Sequence, residues 1–186
     1  MDENLIWTEK ERRVVFETPV FNVTERLSQG PDGQLGKYIV NEASDWAIVM
    51  PVHNGNFLMV KQWRHGEKAL SLEFPGGVIE KDELPVKGAE RELLEETGAV
   101  AGKIIHLGSL NPNPALFANH VHIFCAFDLS FGNKQNLDKD EFLNCLEMPI
   151  EEVIEKVGSP QFQHALMASA VGLFLAKKNT LFPQRQ

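Results

Sequence analysis

Short apolar stretches separated by turn residues predict a chain that is rich in β-strands. The strands are expected at residues 12–17, 20–27, 37–41, 46–52, 57–63, 72–75, 104–110, 120–129 and 142–146. The strongest hairpin pattern joins residues 46–52 to residues 57–63 through His53-Asn54-Gly55-Asn56. Two later segments, residues 150–157 and 162–177, are predicted to be helices, and the second carries the apolar stripe of a helix that packs on a core.

One further helix is predicted by the residues at its two ends. Pro85 suits the first position of a helix, where its missing N–H costs nothing, and Gly98 suits the left-handed residue that ends one. Between them, Glu92, Glu95 and Glu96 stand at positions i, i+3 and i+4, so their carboxylates share one helical face. A hard divalent cation such as Mg²⁺ relieves the repulsion between such charges. For three glutamates taken alone, an ordinary solvated face is the alternative explanation.

The loop before this helix makes the pattern specific. Residues 72–75 lead into Gly76-Gly77, where the backbone must turn tightly and come close to another group. Counting from Gly77, five residues precede Glu83, and seven more precede the run Arg91-Glu92-Leu93-Leu94-Glu95-Glu96-Thr97-Gly98. This spacing is that of the Nudix box. The chain therefore resembles the Nudix hydrolases, a family that cleaves diphosphates linking a nucleoside to another group.

The resemblance implies a fold and a division of the chain. The fold is expected to belong to the α/β (α+β) class, as a Nudix-type α/β/α sandwich with a small N-terminal β element. We expect residues 1–42 to form this element and residues 43–186 to form the Nudix hydrolase domain. In the ADP-ribose and nucleotide-sugar diphosphatase branch of this family, the N-terminal element packs against a second subunit or is exchanged with it. A homodimer is therefore the predicted assembly, with residues 1–42 as its dimerisation segment.

The resemblance also implies a metal site. The carbonyl of Gly76 and the carboxylates of Glu92, Glu95 and Glu96 are the expected metal ligands, and Glu95 and Glu96 count among the catalytic residues. Mg²⁺ is the expected ion, although oxygen ligands suit Mn²⁺ as well. Arg91 is expected to lie off the carboxylate face and to pair with acidic groups of the loop such as Glu83.

Weaker similarities over residues 36–175 favour the ADP-ribose and nucleotide-sugar diphosphatase branch. They include Asp45-Trp46, the run from Gln62 to Gly66, and Pro112-Asn113-Pro114-Ala115. By this resemblance Arg64 grips the diphosphate through its planar fork. The other expected substrate contacts are Glu73, Trp46 and Pro114. A surface arginine, a structural glutamate and a core tryptophan are the alternatives for Arg64, Glu73 and Trp46.

The same branch keeps a catalytic glutamate in a loop at the position of Glu141. This residue is expected to deprotonate or orient the attacking water. Asp138 and Asp140 are rivals, because a shift of the alignment changes the choice. His120 and His122 alternate along a strand, but alternating polar residues are commonplace on a half-exposed strand, so a ligand role for them is not expected. His164 is expected to cap the last helix or to make a buried polar contact.

The predicted reaction is Mg²⁺-dependent hydrolysis of ADP-ribose or a nucleoside diphosphate sugar to a nucleoside monophosphate and a sugar phosphate. The alternatives are a nucleoside triphosphate or dinucleoside polyphosphate pyrophosphatase and, in a different class, a non-catalytic nucleotide-binding module. Which base and sugar the enzyme prefers stays open at this point.

Composition and charge limit the kinds of partner and the cellular location that are expected. The net charge of −8 argues against a nucleic-acid surface binder, so a small nucleotide is the expected partner. The start of the sequence is acidic and lacks an apolar run, and no stretch reaches the roughly 18 apolar residues of a membrane span, so neither a signal peptide nor membrane insertion is expected. Cys125 and Cys145 are expected to be free thiols, in keeping with a cytoplasmic protein.

Overall fold

The computed structural model describes residues 2–182, which fall into two compact units. One unit combines the residues up to Asp45 with Asn111–His120. The other combines Trp46–Leu110 with the residues from Val121 onward.

The smaller unit is built on a three-stranded antiparallel sheet. A short 3-10 helix at Glu3–Leu5 precedes β1 (Thr8–Glu17), β2 (Phe21–Gln29) and β3 (Leu35–Ala43), which pair in that order. Every residue of β1 is exposed. The segment Asn111–His120 joins this unit through backbone hydrogen bonds on both sides of Asn41, to Leu116 and Ala118.

The larger unit contains a mixed seven-stranded sheet. Its main path runs β10-β5-β4-β9-β8, while β6 pairs with β5 and β7 pairs with β4. The β4–β9 pair is parallel, and the other pairs are antiparallel. The strands are β4 (Trp46–His53), β5 (Asn56–Arg64), β6 (Ala69–Glu73), β7 (Gly76–Val78), β8 (Val100–Leu110), β9 (Val121–Ser130) and β10 (Leu143–Pro149).

Helices cover both faces of this sheet because side chains alternate along its buried strands. From β4, Ala47 and Val49 join the core on the side of α1 (Pro85–Thr97). Ile48 and Met50, the residues between and after them, join a second core with α2 (Ile150–Lys156) and α3 (Ala165–Leu181). The expected α/β/α sandwich is confirmed. Among residues 2–182, no helix has the length and apolar content needed to cross a membrane.

The predicted elements are present, with two informative differences. Gly76–Val78 was expected to be part of a loop, but it forms β7, since the missing side chain of Gly76 lets its backbone lie against β4. A Cβ on Gly76 would come within 2.2 Å of the Ala47 carbonyl oxygen. The last helix begins at Ala165 rather than residue 162, because His164 adopts an extended backbone and caps it.

Candidate functional site

A cavity of about 380 Å³ lies in the larger unit, within the size range of small-molecule sites. Eight of the nine residues predicted to form the site line it: Trp46, Arg64, Glu73, Gly76, Glu92, Glu95, Glu96 and Glu141. The ninth, Pro114, belongs to the smaller unit. Trp46 is half-buried and also packs against the core on the α3 side. This packing agrees with the alternative prediction of a core tryptophan.

The local sequence fixes α1 as expected. Pro85 is its first residue, and Gly98 follows its last with φ of 70°, in the left-handed region that glycine tolerates. Gly88 is buried within the helix, where alanine has the higher helix propensity. A Cβ there would meet a Glu83 carboxylate oxygen and the Ile79 side chain, each at 3.2 Å. Glycine at this position thus leaves room for Glu83.

Arg91 makes more contacts than the sequence predicted. It donates to both carboxylate oxygens of Glu83 at 3.1 Å, as expected, and this pairing holds the pKa of Glu83 below its usual range. It also donates to Glu92 and Glu95, each at 2.8 Å. The expectation that Arg91 lies off the carboxylate face was therefore wrong. A guanidinium with five donors can reach from the loop acid to the near edge of that face.

Glu96 lies at the centre of the acidic face and is almost completely buried. Its carboxylate accepts the backbone N–H of Gly76 at 2.8 Å, which joins α1 to the start of β7. Burial, reinforced by the nearby charges of Glu141 and Glu92, raises the pKa of Glu96 to about 8. Burial likewise raises the pKa of Glu92. The site thus holds more negative charge than Arg91 compensates.

The donor chemistry of this face fits a hard divalent cation, since all the available groups are oxygens. Gly77 leaves space beside one of them, because a Cβ there would lie 2.6 Å from a Glu92 carboxylate oxygen. In the arrangement described for residues 2–182, no three His, Cys, Asp or Glu side chains are placed to enclose an ion. The four metal ligands named above therefore stay a prediction.

Arg64 and Glu73 form an ion pair at another part of the cavity, in which Glu73 is buried and Arg64 is partly exposed. The guanidinium of Arg64 at the end of β5 donates through Nε at 2.8 Å and Nη2 at 2.5 Å to the two carboxylate oxygens of Glu73. Burial alone would raise the pKa of Glu73, but Arg64 outweighs it, so the pKa is lowered. Two of the five guanidinium donors are used in this way, which leaves three for a ligand in the cavity.

The loop between β9 and β10 contributes the remaining acids. Glu141 and Asp138 line the cavity, whereas Asp140 does not. Asp138 and Glu141 belong to one turn, in which the Glu141 N–H donates to the Asp138 carbonyl at 3.0 Å. Of the two rivals of Glu141 considered from the sequence, only Asp138 is thus brought into the cavity.

His164 lines the cavity, a position that the sequence did not predict. Its Nδ1 accepts the N–H of Leu166 at 3.2 Å, so the capping role is confirmed. Burial lowers the pKa of His164 and favours the neutral ring, and since Nδ1 is the acceptor, the proton of that neutral ring lies on Nε2. A second cavity of about 150 Å³ shares Arg64 and His164 with the first. No spacing in the sequence signals His164, because only the fold brings α3 to this cavity.

The chain is similar to proteins of one known family. Residues 44–168 match the sequence model of the NUDIX domain. The ADP-ribose pyrophosphatase of Bacillus subtilis (strain 168) is 34% identical over 173 residues, which cover 92% of this chain and 93% of that protein. The methanol dehydrogenase activator of Bacillus methanolicus is 32% identical over 129 residues, covering 68% of this chain and 70% of that protein.

A solved structure shows the same fold. The crystal structure of an ADP compounds hydrolase matches with a TM-score of 0.84 and 22% sequence identity, over 96% of this chain and 97% of that one. At this level of identity the likeness concerns the fold, which agrees with the sandwich described above.

Proposed function

Because this chain belongs to the Nudix hydrolase family, we propose that it hydrolyses the diphosphate of ADP-ribose or of a nucleoside diphosphate sugar. The products are a nucleoside monophosphate and a sugar phosphate. The observation that carries the proposal is a single cavity that combines the acidic face of α1 with the Arg64–Glu73 pair. The substrate class is supported by the B. subtilis relative, which is named an ADP-ribose pyrophosphatase.

Nudix hydrolases in general use divalent metal ions, and the oxygen donors of this cavity suit one. We propose that the Gly76 carbonyl with Glu92, Glu95 and Glu96 holds Mg²⁺, and that Mn²⁺ can replace it. When bound, such an ion supplies charge neutralisation at the diphosphate and a lower pKa for the attacking water. Burial and the neighbouring charges of Glu141 and Glu92 raise the pKa of Glu96. This supports the proposal, because a divalent cation beside the carboxylate would stabilise its charged form.

The other residues bind substrate and move the proton. Arg64 binds the diphosphate through the donors that Glu73 leaves free, and Glu73 keeps the guanidinium in place. Glu141 accepts a proton from the attacking water, with Asp138 as the alternative. Trp46 lines the cavity and offers a ring for the base. Pro114 belongs to the smaller unit, and its contact with the substrate is proposed from the family resemblance alone.

A homodimer is the assembly that we propose, with the sheet of the smaller unit as its interface. Val14, Val15 and Phe16 of β1 and Tyr38 and Ile39 of β3 are all exposed in the single chain. Neighbouring residues of a strand point to opposite faces of the sheet, so these side chains expose apolar surface on both faces. Apolar side chains exposed in this number on one small sheet support contact with a second chain. Sedimentation velocity should give about twice the 20.9 kDa mass of one chain, and a monomeric mass would contradict the proposal.

We also propose a small-molecule partner and a cytoplasmic location. The net charge of −8 supports a small nucleotide over a nucleic acid, since a nucleic-acid surface needs basic patches. Cys125 and Cys145 are free, as expected, which supports a reducing compartment.

The proposed reaction is tested with a panel of substrates in Mg²⁺: ADP-ribose, several nucleoside diphosphate sugars, diadenosine polyphosphates and nucleoside triphosphates. Mass spectrometry identifies the products. We expect a nucleoside monophosphate and a sugar phosphate from at least one sugar substrate. The relative turnover rates of the substrates then identify the preferred base and sugar. Pyrophosphate released from triphosphates alone would favour the pyrophosphatase alternative. Absence of turnover on the whole panel would favour a nucleotide-binding module that acts on a partner.

A further inference from the structure

The C-terminal end of α1 is tied to the loop that carries Glu141. A helix leaves its last four carbonyls without partners inside the helix. In α1, Gly98 donates to the Leu94 carbonyl, but the next two carbonyls accept hydrogen bonds from outside. The Asn136 N–H donates to the Glu95 carbonyl at 2.9 Å.

The Glu96 carbonyl receives two donors. Gln135 Nε2 donates to it at 2.6 Å, and Cys145 Sγ donates to it at 3.1 Å. Gln135 Nε2 also donates to Cys145 Sγ at 3.3 Å. This triangle is chemically consistent, because an amide nitrogen carries two hydrogens and a thiol both donates and accepts. We call Gln135, Asn136, Cys145 and the two carbonyls the clasp.

The loop passes directly over the helix end at the clasp. A Cβ on Gly98 would lie 2.4 Å from the carbonyl oxygen of Asn133, so only glycine permits this approach. Between Phe131 and Phe142 the chain forms no helix or strand that would otherwise fix its path. The clasp therefore supplies the contacts that set where this loop runs relative to α1.

The clasp joins two segments, the end of α1 and the loop, and both carry residues that line the same cavity. Glu95 and Glu96, whose carbonyls accept the clasp bonds, direct their side chains into the cavity, and Glu141 lines it from the loop. We infer that Gln135 is a positioning residue that holds Glu141 in register with the acidic face of α1. The inference rests on the proposed function, in which Glu141 accepts the proton of the attacking water. A misplacement of about 1 Å in such a group lowers the rate by about 100-fold.

The test uses Gln135→Met, which keeps the length of the side chain and removes both N–H donors. We expect kcat on the active sugar substrate to fall by about 10- to 100-fold, with KM nearly unchanged, because the substrate contacts do not involve Gln135. The kcat of Gln135→Glu should fall further, because its carboxylate and the Glu96 carbonyl are both acceptors and repel each other. Lys134→Met, at an exposed neighbouring position in the same loop, is the control and should keep wild-type kinetics.

A double-mutant cycle separates positioning from general stability. In a Glu141→Gln background, adding Gln135→Met should lower kcat by less than about twofold, because the group being positioned is already absent. An equal loss in both backgrounds would overturn the inference. A wild-type rate for Glu141→Gln would overturn it too, by removing Glu141 as the base, while hydrolysis itself would still support the proposed function.

Hydrogen exchange provides a measure that does not depend on turnover. Gln135→Met should speed amide exchange in peptides covering residues 131–142 and leave the middle of α1 protected. If exchange in this loop does not change, the clasp does not hold it, whatever the kinetics show. If the wild-type protein hydrolyses nothing on the panel, the proposed function fails, and Gln135 then has no catalytic group to position.

Discussion

Glu73 and Glu96 line the same cavity, and each is only 1% exposed, yet their ionisation is shifted in opposite directions. The pKa of Glu73 is lowered, whereas that of Glu96 is raised to about 8. Burial acts against the charged form of both residues. The difference lies in their partners: Glu73 faces the fork of Arg64, and Glu96 faces the N–H of Gly76 and two other acids.

The comparison separates two kinds of buried charge. The Arg64–Glu73 pair is complete without a ligand, so it keeps one geometry and can present free donors to an anion. The acidic face of α1 has too few positive charges, even with Arg91. A divalent cation would supply the charge that the protein leaves out.

Glu96→Gln should have the largest effect and should act in opposite directions on activity and stability. Hydrolysis should fall by at least about 100-fold, because a predicted metal ligand is lost. The folded pKa of Glu96 lies above its ordinary value of 4.5, so the metal-free protein loses stability as the pH rises from about 4.5 to about 8. Glutamine keeps an acceptor for the Gly76 N–H without the charge. It should therefore raise the Tm of the metal-free protein at pH 8 by roughly 5 °C.

Thermal unfolding in chelator at pH 5 and pH 8 measures this effect, and the two proteins should differ less at pH 5. Added Mg²⁺ should stabilise the wild type at pH 8 more than the variant. Glu90→Gln is the control, since Glu90 is on the exposed side of α1 and pairs with Lys87. Full hydrolytic activity in Glu96→Gln would show that the metal-ligand assignment is wrong.

Glu73→Gln tests the other side of the comparison. It leaves Arg64 with a neutral partner, so the free energy of unfolding at pH 7 should fall by about 2 kcal/mol. The expected loss is modest because Arg64 is partly exposed and its charge is screened by solvent. The folded pKa of Glu73 lies below its unfolded value, so its contribution is present above about pH 4.5 and is lost as the pH falls below it. The stability gap between variant and wild type should thus narrow at low pH.

Urea unfolding at pH 7 and at pH 4 measures this gap, and steady-state kinetics should show a higher KM with a smaller change in kcat. Glu67→Gln, an exposed acid of the neighbouring turn, is the control. If Glu73→Gln binds substrate as tightly as the wild type, Glu73 does not orient Arg64 for the diphosphate.

How far the sequence could predict this site depends on where each residue lies. Glu92, Glu95 and Glu96 were predictable because helical spacing, Pro85 and Gly98 define their common face from local sequence alone. All three line the cavity, and their metal-binding role stays a prediction.

Residues that reach the cavity through tertiary contacts were harder to predict. The loop around Glu141 has no periodic pattern, so resemblance alone singled it out, and Asp138 and Asp140 had to remain rivals. The clasp and the place of His164 in the cavity were missed for the same physical reason, although the capping role of His164 was predicted. The residues that they meet lie dozens of positions away in sequence, and neither a loop glutamine nor a helix cap carries a local signal of such a contact.

The smallest expected effect is on the titration of His164, which reports whether Glu73 is charged. Burial and Arg64 lower the pKa of His164, while the charge of Glu73 acts to raise it. Glu73→Gln removes the one influence that favours the protonated ring, so the pKa of His164 should fall further, by less than about one unit. NMR titration of the imidazole in the wild type, Glu73→Gln and Glu96→Gln measures this shift. Glu96→Gln should leave it nearly unchanged, and an equal shift in both variants would mean that the two glutamates are not electrostatically distinct.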